Sequence, residues 1–308
     1  MSLHELVGLN LCDLTLDGVL NSTEKAIEWL RKFGLISKER ICHKCGSATG
    51  MRLGRQSSTA DGQSWRCRKK DCKTTSSIRK HSFFSKSNAP LVECIRLIYL
   101  WAEGDNSVQK ICRYTKLCNH TVNDWCGFLR EVCSKDLIRN TAPIGGPGQI
   151  VAINETHVAR RKPGNAQARP VRAQWVFGGI CIGTGECFMR LVDTRDAATL
   201  LPIIADCIAP NSTIYSDEWR AYAGISAMPQ NYTHKTVNHS YQFVSESGVH
   251  PNHVEILWRN CKRELAKRNG VRRDFIPSYL DEFMWRRSRS VQNFFPEILE
   301  AIRRQYTV

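Results

Sequence analysis

Four cysteines in two close pairs are the first residues whose types and spacing imply chemistry. Cys42-His43-Lys44-Cys45-Gly46 is a C-x2-C turn, and Cys67 and Cys72 form a C-x4-C turn after a 21-residue gap. Each short loop puts two sulfurs on one edge of a tetrahedron, so the four thiolates are expected to hold a structural Zn²⁺. The surrounding segment has few large apolar residues, and metal binding would supply its folding energy. His43, between two ligands, is expected to face solvent. Arg66, Arg68, Lys69 and Lys70 crowd the second pair and offer phosphate contacts, while Trp65 either stacks on a base or packs. A second set is acidic. Asp217 follows the strand-like run TIYS, and Glu255 lies in the helical run NHVEILWRNCKREL. Nucleases that use two metal ions need two or three carboxylates converging from strand ends and a helix. Asp217 and Glu255 suit two of those roles.

The elements that must position these residues follow from patterning. Residues 1–38 hold one amphipathic helix, STEKAIEWLRKFGL, capped by Ser22 or Thr23 and stopped at Gly34. Residues 39–86 lack helical period and carry the cysteine pairs as a zinc ribbon. Residues 87–140 read as three helices, from Pro90 to Ala102, from Ser107 to Tyr114, and from an N-cap at Asn119 onward, with a turn at Lys116–Cys118. Two short helices joined by a tight turn match a helix-turn-helix module. Val122, Trp125, Phe128 and Leu129 would then be buried, and His120, Thr121, Asn123 and Asp124 would face a DNA groove. A plain three-helix packing unit gives a similar pattern. The Gly- and Pro-rich stretch NTAPIGGPGQ, 140–149, is the expected linker. From 149 to 290 the runs QIVAINET, AQWVFGGICIG, ECFMRLVDT, STIYSDEW and YTHKTVNHS read as strands, and a helical tail fills 291–308.

Charge supports a polyanionic partner. The 308 residues carry 44 Lys+Arg against 29 Asp+Glu, for a net +15. The excess is concentrated in residues 39–86, 157–172 and 255–289, and the remainder is net negative. The first residues show no secretory signal, and the most apolar run, 95–102, is too short for a membrane span. A soluble, membrane-free protein in a reducing compartment is expected, with the ten other cysteines mostly buried as small hydrophobes.

At this point the residues carry a family resemblance. VAINET (151–156), ARRK (159–162), QWVFGGICIGTGECF (174–188), TIYSDEWRAY (213–222), HKTVNHSYQFV (234–244), NHVEILWRNCKREL (252–265) and EFMWRR (282–287) occur in one order. Together they resemble the DDE transposase domain of the Merlin superfamily and its bacterial insertion-sequence relatives. The resemblance implies an α/β RNase H-like catalytic domain, a mixed sheet flanked by helices, preceded by the zinc ribbon and the helix-turn-helix module. It also implies an acidic triad binding two Mg²⁺ or Mn²⁺ ions. Carried over by motif, the second and third positions are Asp217 and Glu255. The first, where the family reads Ile-Asp-Glu, is Ile153-Asn154-Glu155 here.

Asn154 keeps the shape of Asp but loses the charge and presents an NH₂ where a cation should sit. Impaired metal binding and catalysis are therefore expected. Glu155, the neighbouring carboxylate, should point to the opposite face of its strand. The intact remaining motifs favour a deliberate Asp→Asn change over natural decay. Arg160, Arg161 and Lys162 after the first strand are expected phosphate ligands, as are Arg259, Lys262 and Arg263 along the Glu255 helix. His239 and Asn252 resemble positions near the active site that contact DNA. The implied protein is a cut-and-paste DNA transposase that binds the terminal inverted repeats, cleaves the ends and joins the 3′-OH to target duplex DNA. It would act as a homodimer or larger assembly, in the nucleus of a eukaryote or in the cytoplasm or nucleoid otherwise. The alternative is a transposase-derived DNA-binding or regulatory protein without catalysis.

Overall fold

The computed structural model describes residues 3–47, 49–104, 107–140, 142–158, 174–236, 252–268, 271–289 and 294–308. The chain divides into two units, Met1–Val132 with Ser290–Val308, and Cys133–Arg289. The division falls inside one helix, upstream of the Gly/Pro stretch.

In the first unit, helices α1 (Leu11–Leu16) and α2 (Thr23–Lys32) begin at capped turns. Asn10 and Asp13 form a reciprocal capping box, and Ser22 accepts from the Lys25 N–H. The first of these helices is too short to leave a periodic signature. Strands β1 (Met51–Arg55), β2 (Gln63–Cys67) and β3 (Thr75–Ser77) form an antiparallel sheet in the order β1-β2-β3. Asp61 and Arg79, both buried, form an ion pair that ties the β1–β2 turn to the chain after β3. Helices α3 (Leu91–Ala102), α4 (Val108–Thr115) and α5 (Asn119–Asn140) follow. Lys116 ends α4 in the left-handed conformation, φ 56°.

The α5 N-cap is Cys118 and not Asn119: Val122 N–H bonds the Cys118 carbonyl, and the Cys118 sulfur bonds the Thr121 hydroxyl. Val122, Trp125 and Leu129 are buried as expected, but Phe128 is 47% exposed. It lies at the margin of the apolar stripe, where its ring meets Trp125 edge-on. The final helix, α9 (Phe294–Gln305), belongs to this unit. Phe295 stacks on Trp29 and meets Tyr99 edge-on, and Tyr306 meets Phe83.

The second unit is built on β5 (Ile150–His157), β6 (Trp175–Cys181), β7 (Cys187–Val192), β9 (Thr213–Ser216) and β10 (Thr233–Thr236), in the order β10-β9-β5-β6-β7. β5, β6 and β7 form an antiparallel meander, and β9 and β10 add in parallel beside β5. This is the strand order and direction of an RNase H-like mixed sheet. Helix α6 (Ala197–Cys207) lies between β7 and β9 in sequence, and α7 (Asn252–Ala266) and α8 (Ile276–Arg287) follow β10. A short parallel pair, β4 (Ile144–Gly145) with β8 (Ile208–Ala209), draws part of the 140–149 stretch into the unit.

The sheet has two buried faces. Val151, Ile153, Phe177 and Ile214 pack with Leu200 and Ile204 of α6. Ala152, Val176 and Ile180 pack with Leu257, Trp258 and Leu280 of α7 and α8. Asp136, 1% exposed, anchors the α8 end by accepting from the Trp285 indole at 3.0 Å and from Arg289 at 2.8 Å. Outside the metal-type cluster, six cysteines are buried, whereas Cys112 and Cys187 are half-buried and Cys12 and Cys118 exposed. The expectation of a mostly buried set is corrected at these four. Among the described residues, no helix is long and apolar enough to cross a membrane.

Candidate functional site

The sulfurs of Cys42, Cys45, Cys67 and Cys72 all lie within 4.8 Å of one another. Cys42–Cys72 and Cys45–Cys67 are each 3.6 Å apart. A tetrahedron with Zn–S bonds of about 2.3 Å has an edge of about 3.8 Å, so the four thiolates fit a Zn²⁺ ion. Backbone N–H groups of Cys45 and Lys44, aimed at the Cys42 sulfur, pull its thiol down to about 6, which favours the ligating thiolate. His43 is exposed, as expected. Trp65 is 3% exposed and packs beneath the Arg31 guanidinium rather than offering a free face. Arg66, Arg68, Lys69 and Lys70 are all exposed and line one cleft. Sequence reasoning missed that Arg52, Lys73 and Thr75 line it too. Strand pairing across β1–β2–β3 brings Arg52 and Thr75 there, which no spacing rule in the sequence reveals, whereas Lys73 simply follows Cys72 in the basic loop.

At the start of α5, His120 and Asn123 are exposed and Thr121 half-buried. The His120 ring meets Asp124 at 2.8 Å, and the Asn123 amide donates to the Asn119 carbonyl. These groups thus have partners within their own helix.

The strand-end site lies in the second unit. β5 and β9 pair as far as Ala152↔Tyr215, and Asn154 and Asp217 each lie two residues beyond that pair. Alternation along β5 puts Asn154 with Ala152 on the α7 face and Glu155 with Ile153 on the α6 face. Across β6, Asn154 is paired with Gly178. A Cβ at Gly178 would lie 2.8 Å from the Trp258 ring, so α7 presses on the sheet there. Glu255 is one turn earlier on α7, exposed, and followed by exposed Arg259, Lys262 and Arg263. Trp258 is buried core. Asn154 thus lies on the α7 face, one strand from the Gly178 that Trp258 approaches, and Glu255 stands one turn before Trp258 on α7. Among the described residues, however, the four cysteines are the one close group of three or more metal-ligating side chains.

Asn154 explains part of that. Its Oδ1 accepts the Glu155 N–H at 2.7 Å, and the other atom of the amide head is the Nδ2 donor. An amide with its oxygen engaged and its NH₂ presented does not suit a Mg²⁺ pair, so the residues present do not fit the two-metal arrangement. Glu155 is no substitute. Its side chain is 4% exposed, one oxygen accepting from Arg195 at 3.1 Å and the other from the Tyr222 hydroxyl. Burial and the Glu155 charge push the Tyr222 hydroxyl well above its ordinary range, keeping it a neutral donor. Arg195 stacks on Trp175 and Trp219, and the Trp219 N–H donates to Asp217 Oδ1 at 3.0 Å. Neither the Glu155–Tyr222–Arg195 network nor Gly178 was visible as a site feature in the sequence. Arg160, Arg161, Lys162 and His239 lie outside the described residues, and of Asn252 only its place at the start of α7 is described.

The sheet is that of the RNase H-like fold, with Asp217 just after a parallel strand and Glu255 on a later helix. Residues 140–288 match the ISXO2-like transposase domain. Over 105 residues the chain is 34% identical to an uncharacterized transposase-like protein of Haemophilus influenzae, spanning 34% of this chain and 83% of that one. It is also 23% identical over 323 residues to the male abnormal protein mab-31 of Caenorhabditis elegans, spanning 98% of this chain and 73% of that one. The chain belongs to the ISXO2-like transposase family, a group of DDE-type transposases. Among solved structures, the Mos1 transposase paired-end complex with left transposon end matches at 12% identity and TM-score 0.32, over 69% of this chain and 76% of that one. The catalytic core of HTLV-2 integrase in complex with magnesium matches at 11% identity and TM-score 0.27, over 45% and 84%.

Proposed function

We propose that the chain is a cut-and-paste DNA transposase of the Merlin type whose strand chemistry is disabled at Asn154. The observation that carries this is the Glu155 N–H to Asn154 Oδ1 bond, which leaves an amide donor where the reaction needs a negative oxygen. With aspartate at 154, the same N–H would orient one carboxylate oxygen and leave the other for metal. Mg²⁺ or Mn²⁺ bound by that restored site would activate the attacking oxygen and stabilise the leaving one. In the reading proposed, the zinc ribbon (39–86) and the helix-turn-helix segment (87–140) recognise terminal inverted repeats. The domain of 149–290 handles the scissile ends, with Arg259, Lys262 and Arg263 along the DNA path. Arg160, Arg161, Lys162, His239 and Asn252 extend that path. Synapsis of two ends calls for a homodimer or larger assembly, in the nucleus if the host is a eukaryote and in the cytoplasm or nucleoid otherwise.

The deciding experiment compares the chain with Asn154→Asp on duplex DNA carrying the element's inverted repeats, with Mg²⁺ or Mn²⁺. Cleavage by the restored variant alone is expected. If the restored variant binds the repeats yet leaves them intact under permissive salt and metal, the enzyme reading fails. A second reading, a transposase-derived regulator that binds DNA without cutting it, then stands.

A further inference from the structure

Arg52, Arg66, Arg68, Lys69, Lys70 and Lys73 line one cleft of the ribbon, about 760 Å³ in volume, and no carboxylate lines it. The strand register sets Arg52 directly opposite Arg66, and Arg66 directly opposite Thr75. All three are exposed, and they form a row across the sheet. Arg66 lies along the sheet over Gly54 and donates to the Arg55 carbonyl at 2.9 Å, so it is held in the row rather than extended into water. Like charges facing each other across an antiparallel pair destabilise it. The Cys67–Cys72 loop adds three more cations at the same place. Such a surface costs the free protein stability and recovers it when an anion enters. The volume is that of a pocket for a sizeable ligand, larger than one phosphate requires.

We propose that this cleft binds consecutive phosphates of a nucleic-acid backbone without reading sequence, and that Arg52, Lys73 and Thr75 are part of that site. The proposal rests on the DNA-binding half of the function proposed above and is independent of its cleavage chemistry. Within the recognition of inverted repeats proposed above, it gives the ribbon the positioning contacts to phosphates and the helix-turn-helix segment the reading of bases.

The test uses the full zinc-loaded chain, Arg52→Gln, Lys73→Gln and the double variant, with short duplexes of two unrelated random sequences. Affinity is measured across a salt series. Each substitution is expected to weaken binding equally on both sequences and to flatten the slope of log K against log salt by about one. Zinc content should be unchanged. Arg52→Gln should also raise the melting temperature of the free chain at low salt, because it removes the facing charge. Sodium tripolyphosphate should compete with the duplex and raise the parent's melting temperature, whereas a polyglutamate peptide of equal charge should compete less. An unchanged salt slope in the double variant with zinc retained overturns the cleft while leaving the transposase reading intact. A loss confined to one sequence overturns the backbone assignment. Failure of the parent chain to bind either duplex removes both the cleft and the DNA-binding reading, whereas failure of Asn154→Asp to cleave touches only the latter's chemistry.

Discussion

Gly178→Ala is the most demanding test of how the fold builds the strand-end site. A Cβ there would lie 2.5 Å from the Phe188 carbonyl oxygen, 2.8 Å from the Trp258 ring and 3.4 Å from the Met189 Cα. Two of these neighbours are backbone atoms of β7, which cannot swing aside as the end of a side chain does. The third is the ring that seats α7 on β5 and β6. Overpacking a well-filled core typically costs 1–3 kcal/mol, and with backbone as the obstacle the upper end, about 3 kcal/mol, applies. For a unit of this size that is a fall of roughly 6–12 °C in melting temperature. Gly185→Ala is the control: nothing lies within 4 Å of its Cβ position, but its φ is +75°. It should cost about 1–2 kcal/mol from backbone conformation alone. Calorimetry gives both values, and hydrogen exchange along α7 shows whether the helix has lifted. In the Asn154→Asp background, Gly178→Ala should reduce cleavage far more than DNA binding, because displaced α7 carries Glu255 with it. A loss below about 0.5 kcal/mol, or a loss equal to that of Gly185→Ala with α7 protection intact, would refute the reasoning.

Two further outcomes are expected. The purified chain should contain one zinc per molecule, and chelation or Cys72→Ala should unfold the ribbon while leaving the helical part of the first unit in place. Structural zinc contributes about 10–16 kcal/mol to small domains of this kind, more than the ribbon core can replace; a chain free of zinc yet with a folded ribbon would contradict this. His234 should make stability depend on pH. Burial, with Ser216 Oγ 2.8 Å from its Nε2, lowers its pKa below the ordinary histidine value. The unfolded chain therefore takes up the proton first, so the contribution is complete above about pH 6.5 and is lost as pH falls through that value toward the lower folded one. His234→Gln should flatten the decline in melting temperature between neutral and mildly acid pH.

The elements that sequence made legible are those with strong local or periodic signals. α2 is framed by Ser22 and Gly34, α3 is almost wholly apolar, and β5, β6 and β7 are long runs buried on two faces. The cysteine pairs are equally plain, because two short loops alone create the geometry. What escaped depends on partners distant in sequence. α6 contains Pro202, which disguises its helical period. β4 is two residues long and exists only through β8. The opposite-face position of Glu155 follows from alternation, but its bonds to Tyr222 and Arg195 arise from residues 40 and 67 positions away. The same holds for Arg52 beside Arg66. Pairing distance, more than residue type, marks the limit of what one chain discloses by itself.

The place of α9 sets an order on biosynthesis. The first unit needs Phe295 against Trp29 and Tyr99, yet that residue is translated only after the whole of Cys133–Arg289. At ordinary elongation rates, the roughly 160 residues between Val132 and Phe294 take about 10–30 s to emerge. Through that interval the ribbon and its helices wait with an apolar seat open on Trp29, while the transposase domain downstream can already complete its own sheet. In a nascent chain the helical seat of the first unit, at Trp29 and Tyr99, is thus the last part to close. A stop codon just before α9 would leave Cys133–Arg289 whole and take Phe295 from the first unit instead.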